Sequence, residues 1–156
     1  MNYSDKYMAN NQREGSISNA HAGREFEITA MNYFKKNKII LNSGFSIDIG
    51  ISQKKKPHKF DLGSKNPKII IECKSHTWTA EGNVPSAKLT VWNEAMYYFS
   101  LVSNDYKKIL FVQKSFNEKK NETLAEYYIR TYDHLIPNGV EIIEFDVDSK
   151  KGKKIL

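Results

Sequence analysis

The chain has one cysteine, Cys73, in 156 residues, which excludes an internal disulfide and any cysteine-rich zinc site. Its four histidines are scattered rather than clustered. No apolar run approaches the roughly 20 residues of a membrane span, so no membrane partner is expected. The opening MNYSDKYMANNQREGS lacks the apolar core of a signal peptide, and a cytoplasmic location is the expectation. Four prolines and eight glycines leave no linker that would divide the chain, and there is no internal repeat. The length suits a single domain with a real core.

What is present is a moderate excess of positive charge, +6 overall, on a composition that is 40% hydrophobic and 27% charged. Such an excess favours a polyanionic partner, because lysine and arginine neutralise phosphates with counterion release. Two runs concentrate it: Lys54-Lys55-Lys56, and Lys150 to Lys154 around Gly152. Taken alone, each run reads equally as a solvated loop.

Residues 1–18 carry few apolar anchors and read as a flexible N-terminal arm. Residues 19–148 read as one domain, and 149–156 as a basic tail. From Asn19 to about Asn37, Phe26, Ala30, Tyr33 and Phe34 fall on one helix face, with Ser18 or Asn19 as N-cap. Phe45 to Ile51 alternates as a strand, His58 to Leu62 forms a short one, and Gly63 to Pro67 reads as the turn before strand Lys68–Lys74. Ser86 would cap a second helix running to about Ser103, with Leu89, Trp92, Met96 and Phe99 on its stripe. Lys108–Gln113 is a buried strand, Glu122 to about His134 a third helix, and Val140–Val147 a last strand. The order predicts an α/β domain with a central mixed sheet flanked by helices.

Within Lys68–Lys74 an isoleucine run is broken by Glu72 and Lys74. Strand alternation sends both to one face, with Ile69, Ile71 and Cys73 on the other. The hairpin brings Asp61 alongside, so two carboxylates and a lysine would converge at the strand ends. Such a set suits a hard divalent cation bound through oxygen, Mg²⁺ above all. That ion could polarise a phosphate and lower the pKa of an attacking water, while a lysine stabilises the developing charge.

Asp61, then Glu72-Cys73-Lys74, resembles the D-(X)n-E-X-K signature of the PD-(D/E)XK nuclease superfamily, whose core has the order helix, three strands, helix, strand. Gly23 to Glu27 is similar to the G-X-X-X-E pattern on the first helix of that family and nominates Glu27, with Glu25 as its competitor. Phe60 stands where a proline is common, and Asn93 to Tyr97 is only loosely similar to the Gln-X-X-X-Tyr element of the exonuclease-like branches. The resemblance spans roughly residues 20–113. It implies a restriction endonuclease-like core, αβββαβ plus an extra helix and C-terminal strand. It also implies catalytic roles for Asp61, Glu72, Lys74 and Glu27, and Mg²⁺, replaceable by Mn²⁺, held by Asp61, Glu72, the Cys73 backbone carbonyl and Glu27.

The expected function is therefore a Mg²⁺-dependent DNA endonuclease, a phosphodiester hydrolase of restriction or defence type. A Holliday-junction resolvase or repair nuclease of the same fold is the alternative, and a non-catalytic nucleic-acid-binding protein is the alternative of another class. Ser75, His76, Trp78, Lys88 and Lys54 to Lys56 are candidate DNA contacts. Trp78 reads equally as a cap over the core. His58 and His76 flank the motif and could contact phosphate or metal-bound water, although histidines beside strands are more often surface or packing residues. Double-strand cleavage would favour a homodimer.

Overall fold

The computed structural model describes residues 3–156, with side chains from residue 19 onward. In chain order the elements are α1 (Tyr3–Lys36), β1 (Asn42–Ile49), β2 (Lys56–Lys65), β3 (Lys68–Lys74), α2 (Ser86–Ser100), β4 (Lys107–Gln113), β5 (Phe116–Asn117), β6 (Glu122–Thr123), α3 (Leu124–Tyr132), a 3-10 turn at Asp133–Leu135, β7 (Val140–Asp146) and β8 (Lys151–Lys154). Six strands form one sheet in the order β1-β2-β3-β4-β7-β8, and β5-β6 is a separate small ladder. The pairs β3–β4 and β4–β7 are parallel, and the other pairs of the main sheet are antiparallel. The protein is thus α/β with a mixed central sheet between helices.

Burial explains the layering. Ile109 to Val112 of β4 are all buried, as expected of a central parallel strand covered on both faces. On one face α1 lays Phe26, Ala30 and Phe34 over Leu62, Ile69, Ile71 and Phe111. On the other, Leu89, Trp92 and Phe99 of α2 and Tyr128 of α3 pack on Phe60, Ile70, Leu110 and Ile142. The alternation expected for β3 holds: Ile70 belongs to the α2 layer, Ile69 and Ile71 to the α1 layer.

Several boundaries differ from expectation. Residues 1–2 of the expected arm lie outside the described residues, and 3–18 are helical backbone continuous with α1. That stretch contains no proline and only Gly15 as a breaker. Once the docked half has nucleated, each added residue gains a backbone bond at no further nucleation cost. Ser86 does not cap α2: Pro85 holds the cap position without a side-chain bond. The cap that forms is Thr123 on α3, whose hydroxyl accepts from Glu126 N–H while the Glu126 carboxylate accepts from Thr123 N–H.

The expected basic tail is an edge strand. Asp146 Oδ1 accepts from the N–H groups of Asp148 and Ser149, turning the chain back so that β8 pairs with β7. Gly152 lies where a Cβ would sit 2.7 Å from the Tyr33 ring. The lysines of β8 line a sheet edge, where charge discourages pairing with another chain.

Gly63 also changes role. It belongs to β2, not to the turn, which is reduced to Asn66-Pro67 between the paired Lys65 and Lys68. A Cβ on Gly63 would collide with ring atoms of Phe45. Gly63→Ala should therefore cost about 1–3 kcal/mol by overpacking. Gly23→Ala, in α1 with nothing within 4 Å, should gain up to about 1 kcal/mol. Urea denaturation of both variants checks the contrast.

Candidate active site

The site begins where β2 and β3 part. Their ladder runs from Lys65↔Lys68 to Leu62↔Ile71 and stops there. At the next position the Asp61 side chain takes over: its Oδ2 accepts from Cys73 N–H at 2.7 Å. The N–H and C=O of one strand residue project toward the same edge. The Cys73 carbonyl therefore opens onto the same gap.

The backbone twists at this point. The β1–β2 ladder pairs Ser43 with Leu62 and Phe45 with Phe60 but skips Gly44 and Asp61, and Gly44 has φ +62°. Only glycine adopts that conformation freely. Across the twist, Phe60 packs in the α2 layer and Leu62 in the α1 layer. Asp61 sits between the two faces and reaches into the gap rather than onto either helix layer.

Glu72 approaches from the α2 face. Its Oε2 accepts from Lys74 Nζ at 3.1 Å, and the two side chains are only 9% and 12% exposed, so water screens little of the pair. Burial pushes the Glu72 carboxyl up to about 7, opposed by the Lys74 charge and reinforced by the neighbouring Asp61 carboxylate. From α1, Glu27 comes close enough for Asp61 to raise its pKa too, after the larger effect of burial, with Arg24 and Lys74 working the other way. Burial, then Asp61, Glu27 and Glu72 together, push the Cys73 thiol well up. All three carboxylates thus bear on one backbone position.

The flanking residues divide. His76 Nδ1 accepts from the indole N–H of the fully buried Trp92 at 3.0 Å. Burial and the charges of Lys74 and Lys88 lower the His76 pKa to about 4, so it is neutral at physiological pH. Trp78 is not free to stack on a base. It is 8% exposed, its indole N–H donates to Ser115 O at 3.0 Å, and its ring meets Tyr127 edge-on. Ser75 is half-buried directly after β3. Lys88 is exposed on the first turn of α2, and Lys54, Lys55 and Lys56 are exposed at the β1–β2 connection, with Lys55 bonded to Gly50 O. Asn93 is engaged by the Tyr128 hydroxyl at 2.9 Å.

The structure adds a contact that strand alternation does not reveal. His58 places Nε2 3.8 Å from Glu72 Oε1 and stacks its ring on Tyr98. Tyr98 follows Glu94 by one helical turn, and the Glu94 charge also reaches His58. In the sequence His58 stands out only as a histidine flanking the acid–lysine motif.

Among the described residues, no group of three or more His, Cys, Asp and Glu side chains is arranged to hold a metal ion. Asp61 and Glu72 are instead engaged with Cys73 N–H and Lys74. The donor chemistry nonetheless fits a hard cation: two adjacent carboxyl groups beside the Cys73 carbonyl, one of them costly to ionise through burial and its Asp61 neighbour unless a positive charge stands by. Cavities of about 260 Å³ beside Tyr33 and about 490 Å³ beside Glu144 are lined by none of these residues. The acid–lysine set lies in the gap where β2 and β3 part. Comparison with protein-family models, curated proteins and solved structures gave no match to the chain.

Linkage gives a testable sign. A carboxyl whose folded pKa is raised stabilises most at low pH, and that stability is lost as pH rises from about 4.5 toward about 7. Glu72→Gln should remove this dependence and raise the thermal midpoint in EDTA at pH 8, while changing little at pH 5. The difference between the two pH values should reach up to about 3 kcal/mol. Thermal melts of both proteins at pH 5 and pH 8 measure it.

Proposed function

We propose that the protein is a Mg²⁺-dependent DNA endonuclease with a PD-(D/E)XK-type site, serving a restriction or host-defence role. The observation that carries this reading is the replacement of a ladder bond by Asp61 beside the buried Glu72–Lys74 pair. A purely structural sheet gains little from such an arrangement, because even a buried ion pair seldom repays its desolvation and apolar residues would serve as well. The element order of the sheet and α1–α2 also supports the restriction endonuclease-like core.

In this reading Asp61, Glu72 and the Cys73 carbonyl would hold the ion, with Glu27 assisting from α1. Bound Mg²⁺ supplies charge neutralisation at the scissile phosphate and makes water a better nucleophile near neutral pH. Lys74 positions that water and offsets negative charge growing on the phosphate. Its pairing with Glu72 keeps the ammonium in place before substrate arrives. Lys88 and Lys54 to Lys56, all exposed, would neutralise backbone phosphates.

The test is incubation of plasmid, linear and branched DNA with Mg²⁺ or Mn²⁺. Asp61→Ala and Lys74→Ala should each lower the cleavage rate by about 100-fold or more. Absence of cleavage with either ion on every substrate would sink the enzyme reading. DNA binding that survives both substitutions without any cleavage would favour a non-catalytic binding protein.

The basic residues make a separate forecast. Replacing Lys54, Lys55 and Lys56 by alanine should weaken DNA binding similarly for all sequences. The slope of log affinity against log salt should shrink by up to about 3, one for each phosphate no longer neutralised. Fluorescence anisotropy across a salt series reads this directly.

A further inference from the structure

His58 stands outside the acid–lysine set, yet its imidazole is aimed at it. The ring stacks on Tyr98 with centroids 3.8 Å apart and planes 21° from parallel, and meets Phe60 edge-on at 4.7 Å. That clamp, from a neighbour on its own strand and a partner on α2, leaves the ring little freedom to turn. Nε2 is buried and has no hydrogen-bond partner. Its ionic neighbour is Glu72 Oε1 at 3.8 Å, beyond hydrogen-bonding distance. Buried polar atoms without partners are few in native structures, and each calls for a reason.

Glu72 itself supplies the reason. Its Oε2 is occupied by Lys74 at 3.1 Å, so Lys74 must loosen that bond if it is to orient a water at a phosphate. A buried carboxylate cannot lose its partner without replacement. Approach of Nε2 by about 1 Å would turn the present separation into a normal hydrogen bond. We propose that His58 is the positioning residue of Glu72: its Nε2–H donates to Oε1 and holds the carboxylate plane while Lys74 turns to substrate. The inference rests on the nuclease reading. It adds to it a fixed donor on the α2 side of the acidic pair, comparable to the outer partners that orient metal-binding carboxylates.

Two substitutions separate positioning from packing. His58→Phe keeps the stack on Tyr98 and loses the N–H, whereas His58→Gln returns an amide N–H near the place of Nε2. Calorimetric titration with Ca²⁺ and Mn²⁺ is run on wild type, both variants and Glu72→Gln, beside cleavage assays with Mg²⁺. Wild type should bind the ions, and Glu72→Gln should bind them far more weakly. His58→Phe should lose about 10- to 100-fold in ion affinity and in kcat at unchanged KM for DNA, and His58→Gln should recover most of both. A His58→Phe protein that binds the ions as wild type does would overturn the role of His58 and leave the nuclease reading intact. Failure of wild type to bind either ion would overturn both. Should His58→Phe not fold, the wild-type protein still decides. Saturation with Mg²⁺ should slow solvent exchange of the His58 Nε2–H proton in its NMR spectrum, and unchanged exchange would overturn the proposal.

Discussion

One hydrogen bond organises this region: the Asp61 carboxylate on Cys73 N–H at 2.7 Å. A buried backbone donor at the end of a ladder must find an acceptor, and an ionised carboxylate is a strong one. Because a side chain supplies the acceptor, the β2 backbone is released from β3 at the level of Cys73. The gap that results brings Asp61 beside Glu72 and turns the Cys73 carbonyl into it. The raised proton affinity of Glu72, Glu27 and Cys73 follows from burial around this gap and from the charge that Asp61 brings to it.

Holding those charges requires a rigid frame. Ile69, Ile70 and Ile71 are each buried, alternating between the α1 and α2 layers, so β3 is packed on both sides up to the residue before Glu72. Neighbouring β4 continues the support, with Leu110 paired beside Glu72 and Val112 beside Lys74. Apolar packing thus ends where the charged side chains start. Stability and site are in tension at this boundary, because a carboxyl pushed up to about 7 is one the fold would rather keep neutral.

Much of this was legible in the residues, for physical reasons. The period of two places Glu72 and Lys74 on one face regardless of context, and a hairpin of two short strands puts Asp61 near them. The Phe26, Ala30 and Phe34 stripe likewise places Glu27 at the flank of a buried helix face. What was not legible depended on contacts distant in sequence. Gly63 reads as a turn residue until Phe45 is seen lying across it. The lysine-rich C-terminus reads as a tail because edge strands need no apolar alternation, and only its pairing with β7 reveals it. Trp78 offered two readings with one composition, and its bonds to Ser115 decide for the core. The stack of His58 on Tyr98 joins residues 40 positions apart, with no periodic signal to announce it.

His76 shows how the core reaches into the site. Trp92 is fully buried in the α2 layer, and its only side-chain donor goes to His76 Nδ1. With Nδ1 fixed as acceptor, a neutral imidazole must carry its proton on Nε2. The tautomer is therefore chosen by a core tryptophan, two residues along the chain from Lys74. Burial and the nearby Lys74 and Lys88 charges keep the ring from gaining a second proton. A residue whose ring is anchored by the core thus keeps one fixed donor and stays neutral near two cations. A core tryptophan and a residue beside the acid–lysine set share one hydrogen bond here, so neither can be altered without disturbing the other.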